Sequence, residues 1–134
     1  MQSINRDYQN LFIRDDVAVA ATDAKGEIVS ANQAFQALTG YSLTELQQFS
    51  YQDITPEVWT IYENKMIIRH VFTEGYACYQ KEYIDASGDL IPIEIEVYLL
   101  EADSQGKLGM WAKVSKIQQL SEQFVAIKQD ALVS

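Results

Sequence analysis

At 134 residues, with 48% hydrophobic and 22% charged side chains, the chain fits one domain that buries roughly two-thirds of its unfolded surface, and it is too apolar for disorder. A formal net charge of −9 argues against nucleic acid and anionic lipid as partners, since both would repel it. Cys78 is the only cysteine, which excludes an intrachain disulfide and any C-x-x-C pair and fits a reducing compartment.

The N-terminus lacks the basic start and apolar run of a signal peptide. No stretch approaches the ~18 apolar residues of a membrane span, so the segment is expected to be cytoplasmic and free of membrane. Residues 3–13 place Ile4, Tyr8, Leu11 and Phe12 at spacings of four, three and one, a short amphipathic helix. It forms an N-terminal flanking element over residues 1–15. Val17 to Thr22 reads as a strand and Glu27 to Ala31 as its return. Between them lies the first of three copies of one turn: Asp23-Ala24-Lys25-Gly26, Asp85-Ala86-Ser87-Gly88 and Asp103-Ser104-Gln105-Gly106. Asp at the first and Gly at the fourth position is the chemistry of a tight hairpin, because the Asp carboxylate accepts amides ahead of it and Gly takes a positive φ.

Asn32 is placed to cap a helix through Ala34 or Phe35, with Gly40 as its stop, and Ser42-Leu43-Thr44-Glu45 is a capping box for a short second helix. The longest helix is predicted over residues 56–73, with Thr55 as cap, Pro56 in the first turn and Gly75 at the end. Trp59, Tyr62, Met66 and His70 share one of its stripes, and Ile61, Ile68 and Val71 or Phe72 extend the apolar arc. Three strands follow: Ala77 to Ile84, Ile91 to Leu99 and Leu108 to Lys116. In the second, Ile91, Ile93, Ile95, Val97 and Leu99 share a face, and Pro92 suggests an edge or a bulge. In the third, Met110, Ala112 and Val114 lie opposite Trp111 and Lys113. Two strands, a helical crossing and three strands make an α+β order.

From Ile117 the residues Ile117, Leu120, Phe124, Ile127 and Ala131 fall three, four, three and four apart. This is a coiled-coil seam, and equally the inward face of a helix folded back on the domain.

Asn32-Gln33-Ala34-Phe35 through Leu38-Thr39-Gly40-Tyr41-Ser42 to Glu45-Leu46 resembles the N-x-A-F-x-x-L-T-G-Y-S-x-x-E-L segment of PAS domains. Asp53-Ile54-Thr55-Pro56 and the hairpin around Ser87-Gly88-Asp89 are similar to later stretches of the same family. The resemblance covers residues 16–117 and implies a five-stranded antiparallel sheet with helices on one face, flanked by helices at both ends. It implies a sensory module that holds a small molecule or meets a partner. Such a module relays the signal through its flanking helices, often as a homodimer, to a histidine kinase, diguanylate cyclase or transcription regulator outside this segment. Residues 118–134 are then the signalling helix. A ligand-free dimerisation module is the alternative, and a small isomerase or dehydratase a remote one.

The family's known cofactors are tested residue by residue. Where its flavin photosensors carry a reactive cysteine this chain has Leu46-Gln47-Gln48-Phe49-Ser50-Tyr51, which argues against cysteinyl-flavin chemistry. Where its haem sensors carry a histidine stands Asn64. His70, the only histidine, reads either as a ligand or pocket group or as a helix-end residue near the negative end of the dipole. A metal site lacks enough ligands, and Cys78 reads as a buried structural thiol with only Lys81 near enough in sequence to activate it. Trp59, Tyr62, Met66, His70, Tyr79, Ile93, Ile95 and Met110, with Trp111, either line a ligand pocket or pack a core. The signalling-helix candidates are Ile117, Leu120, Phe124 and Ile127. Glu45 matches an acidic residue that the family often pairs with a basic residue of the sheet, and its capping role already accounts for it. Glu94 and Glu96 read as a solvated strand face. No catalytic motif is present, so the chain is not expected to be an enzyme.

Overall fold

The computed structural model describes residues 2–14, 16–100 and 109–133, with side chains described from residue 7 onward. Helix α1 (Gln2–Phe12) leads into β1 (Ala18–Asp23) and β2 (Ile28–Ala31), then α2 (Gln33–Thr39) and α3 (Leu43–Leu46). A 3-10 turn at Tyr51–Ile54 and another at Glu57–Trp59 precede α4 (Thr60–Met66), a π-helical segment at Ile67–Val71 and α5 (Phe72–Glu74). Strands β3 (Tyr76–Ile84), β4 (Leu90–Leu100) and β5 (Gly109–Lys116) and helix α6 (Glu122–Leu132) complete the chain. The strands form one antiparallel sheet in the order β2-β1-β5-β4-β3.

The two described turns share one geometry. Asp23 Oδ1 accepts the amides of Lys25 and Glu27 at 2.9 and 3.0 Å, and Asp85 Oδ1 accepts those of Ser87 and Asp89 at 2.9 Å. Gly26 and Gly88 sit at φ 92° and 87°, where a Cβ would be strained. The third copy, residues 103–106, lies outside the described residues, as does the Ile4 side chain.

Asn32 caps α2 through Phe35 N at 3.0 Å and does more than cap. The same Oδ1 accepts Val19 N at 3.0 Å, and its amide donates to Val17 O at 2.7 Å, tying the helix start to β1. The Ser42–Glu45 capping box is present in full. Glu45 is occupied there, and the buried basic residue of the sheet, Lys81, pairs elsewhere.

Helices α2 to α5 pack on one face of the sheet, over Tyr79, Tyr83, Ile93, Ile95, Val97, Met110 and Val114. Helix α1 packs on the opposite face, where Tyr8, Leu11 and Phe12 cover Val19, Ala21 and Trp111. Strand parity makes this division, since side chains alternate between faces.

Several expectations are corrected. The long helix is not one regular helix. Its buried stripe is Trp59, Glu63, Ile67 and Val71, while Ile61 and Ile68 are 70% and 64% exposed. The spacing of four holds that stripe through α4 and across the π segment, while Tyr62, Met66 and His70 beside it are only half-buried. Thr55 does not cap: its hydroxyl donates to Tyr51 O at 2.7 Å. Pro92 lies on an interior strand, at the end of β4 beyond its first β5 partner, Ile93↔Lys116, where its missing amide interrupts no β4–β5 pair. Cys78 is exposed rather than buried, because parity points Tyr76, Cys78 and Gln80 outward and Lys81 inward.

Candidate functional site

The inward row of β3, Ala77, Tyr79, Lys81 and Tyr83, carries a lysine and two tyrosines into an otherwise apolar core. Lys81 is 1% exposed, and an ammonium that far from water requires a partner. Glu63, one turn after Trp59 on the buried stripe, supplies it: Lys81 Nζ donates to Glu63 Oε1 at 2.7 Å and to Thr55 Oγ1 at 2.9 Å. Tyr79 Oη donates to the other carboxylate oxygen, Glu63 Oε2, at 2.5 Å. The rings of Tyr83 and Tyr51 lie 4.9 and 5.2 Å from the ammonium, within cation–π range.

This cluster bounds a cavity of about 40 Å³ between sheet and helices, with Ala20, Ile28, Phe35, Ile54, Ile67 and Met110 among its apolar walls. Burial pulls the Lys81 pKa down, opposed by the Glu63 carboxylate. Burial first, and Glu63 second, push the Tyr79 phenol well up and the Tyr51 phenol up to about 12. The two phenols therefore keep their protons to higher pH than usual, and Tyr79 and Lys81 converge as donors on one carboxylate.

A second node lies one residue further along β3. Glu82 Oε1 accepts Trp59 Nε1 at 3.1 Å, and its two oxygens meet Lys128 Nζ of α6 at 2.8 and 3.0 Å. Gln80 Oε1 accepts the Ser121 amide and hydroxyl at 2.8 and 3.1 Å. Phe124 is buried against Tyr62, ring centroids 6.1 Å apart, and Tyr62 stands edge-on to Tyr79 at 6.0 Å. Helix α6 is thus folded back on the domain beside β3 and α4.

Of the residues expected to line a pocket, Tyr79, Ile95 and Met110 line the cavity. Trp59 and Ile93 are buried core, Tyr62 and Met66 pack at its margin, and Trp111 buries its indole under α1 while its strand backs the cavity. His70 is half-exposed and meets Glu74 at 3.2 Å. Of the helix candidates, Leu120, Phe124 and Ile127 pack on the core. Ile117 and Leu120 both lie before the helix: the Ile117 amide donates to Pro92 O at 3.0 Å and extends the sheet, and α6 starts only after Ser121. Glu63, Lys81, Thr55, Tyr51 and Tyr83 were not expected as site residues from the sequence. Lys81 at an inward parity position and Glu63 four residues after Trp59 were the available signals.

Flavin and haem do not fit this interior. The cavity is far below the roughly 300–1,000 Å³ of small-molecule sites, the Lys81–Glu63 pair stands inside it, and no histidine lines it. Among the described residues no cluster of three or more His, Cys, Asp or Glu could hold a metal, and no helix is long and apolar enough to cross a membrane. The Cys78 thiol is pushed up by burial and by Glu94 and Glu96, against a lowering hydrogen bond from Tyr76, and so lacks thiolate character.

A five-stranded antiparallel sheet in this order, with helices over one face and a cavity beneath them, defines a class of α+β domain. The family model described as PAS domain matches residues 15–115. The chain belongs to the PAS domain family. A PAS domain of a Colwellia psychrerythraea protein is similar with a TM-score of 0.73 at 18% identity, over 85% of this chain and 97% of that one. A PAS domain from a two-component sensor histidine kinase gives 0.68 at 18% identity, over 87% and 97%. The Rhodobacter sphaeroides LOV protein gives 0.70 at 13% identity, over 92% and 71%. A search among curated proteins returned no match.

Proposed function

We propose that this PAS domain is a sensor that reports the state of its interior through α6. The observation that carries the reading is an unbroken contact path: Lys81 to Glu63, Glu63 to Tyr79, Tyr79 to Tyr62, and Tyr62 to Phe124 of α6. The Trp59–Glu82–Lys128 node runs beside it. A shift of α4 relative to β3 loosens both connections at once and biases α6 between docked and released states, a population shift. The docked helix packs Phe124 and Ile127, and the segment leading into it Leu120, against its own domain, and a released helix frees that seam for a second copy. The output is then a histidine kinase, a diguanylate cyclase or a transcription regulator joined through α6. The similarity to a sensor histidine kinase domain favours the first.

A second reading, a protein-interaction module with no small-molecule input, is favoured by the small, internally satisfied cavity. An enzymatic role is disfavoured, because an acid–base pair must reach a substrate. Tyr79 is already bonded to Glu63, and Tyr62 and His70 lie outside the cavity.

Amide hydrogen exchange tests the relay. Tyr62→Ala is expected to lower protection across residues 122–132 while β4 and β5 amides keep theirs. Unchanged protection of α6 would sink the relay. An absorbance spectrum with native mass spectrometry separates the two readings: a mass lost on denaturation supports the ligand sensor, and a bare polypeptide supports the interaction module.

A further inference from the structure

The buried polar cluster is arranged as a site for a carboxylate, and its occupant is a side chain of the protein. Two donors from one strand, Lys81 Nζ and Tyr79 Oη, converge on the two oxygens of Glu63 at 2.7 and 2.5 Å. The donors belong to the sheet and the acceptor belongs to α4, so the two halves of the site lie on different elements. Lys81 has three N–H donors, of which Thr55 and Glu63 take two. The third Lys81 N–H and the Glu63 carboxylate thus stand together beside a cavity of about 40 Å³.

We infer that the interior is a binding site for a small aliphatic monocarboxylate, which takes the place of the Glu63 carboxylate on Lys81 and Tyr79. Charge is conserved in the exchange, because one carboxylate replaces another beside Lys81 and no ion is left unpaired in the core. Glu63 leaves toward solvent, and α4 moves with it, away from Tyr79 and β3. The apolar walls at Ile28, Phe35, Ile54, Ile67 and Met110 select a short alkyl tail over a second charged group. The inference rests on the sensor reading above and names its input.

Glu63→Ala removes four heavy atoms, the number in acetate, and so opens the site without disturbing its donors. Its melting temperature is expected to rise by about 5 °C in about 50 mM acetate or propionate, and not in acetamide or in chloride at equal ionic strength. Lys81→Met/Glu63→Ala is expected to lose that response. Equal effects of acetate and acetamide, or an equal response of the double variant, overturn the inference. Should Glu63→Ala fold only with carboxylate present, refolding in acetate but not acetamide is the supporting result. Should it fold in neither, titration of the wild-type protein followed by amide NMR decides. Saturable shifts at Thr55, Glu63 and Lys81 with propionate and none with propionamide support the site, and no saturable shift overturns it. Carboxylate binding without any change in α6 protection leaves this site standing and removes the relay.

Discussion

Lys81 and Glu82 are consecutive on β3, yet each closes a different kind of ion pair. Lys81 faces the helices and meets Glu63 where the two side chains are 1% and 4% exposed; Glu82 reaches the open edge and meets Lys128 at 9% and 27%. Inside, water offers neither charge an alternative, so breaking the pair leaves a buried ion. At the edge, Lys128 is already partly in water and Glu82 keeps the Trp59 indole when the pair is parted. The same Coulombic contact at nearly the same distance is thus a structural constraint on one side of the strand and a reversible latch on the other.

The largest expected effect follows from the inner pair. Lys81→Met strands Glu63 in the core and is expected to cost about 3–5 kcal/mol in urea unfolding. Lys81→Met/Glu63→Leu is expected to recover most of that loss, because the desolvation cost disappears with both charges. A double variant no more stable than the single would falsify the view that stranding, rather than lost packing, sets the cost.

The phenols around the pair sharpen the comparison by pH. Tyr51, Tyr79 and Tyr83 have folded pKa values above the usual 10, raised first by burial and then by Glu63. A raised folded value means that the native state holds more protons than the unfolded one above pH 10. Stability from these groups is present below pH 10 and is lost as pH rises through about 12, the Tyr51 value. Lys81, lowered by burial, contributes with the opposite sign as pH approaches its unfolded value, one amine against three phenols. Tyrosinate absorbance is therefore expected to appear in two phases, with exposed phenols first and the buried ones only as the fold is lost. A single phase near pH 10 with the fold intact would contradict the closed interior.

At the edge the effect is smaller and local. Glu82→Gln keeps an acceptor for the Trp59 indole but removes the charge facing Lys128, and is expected to cost about 0.5–1 kcal/mol. Its signature is faster exchange in residues 122–132, read by hydrogen exchange at low salt. His70→Ala, which removes a half-exposed side chain whose partner is Glu74, is expected to change stability by less than about 0.5 kcal/mol. A loss above 2 kcal/mol there would return His70 to the core.

The two kinds of residue also differ in how they show in a sequence. Alternation exposed Ile91, Ile93, Ile95 and Val97 as one face, because an apolar residue with period two has one place to go. Asn32, Gly40 and Ser42 announced the helix ends through local hydrogen bonds with neighbours in the chain. Glu63 offered only its place four residues after Trp59. A carboxylate in a helix normally faces water, so the apolar reading chose Tyr62 and Met66 for the inward stripe and passed over the residue that the core contains. Cys78 erred in the other direction: its apolar character suggested burial, while parity with Tyr76 and Gln80 placed it outside.

The order of elements, the turn chemistry at Asp23 and Asp85, the capping of α2 and α3 and the family were all determined by the sequence, since each depends on contacts between residues close in the chain or on a period read along it. The pairing of Lys81 with Glu63, the cavity they bound, the outward turn of Ile61 and Ile68, and the folding of α6 onto β3 were decided only by the tertiary structure. A buried charge is tolerated only where another element brings its partner, and no local pattern records which element that is.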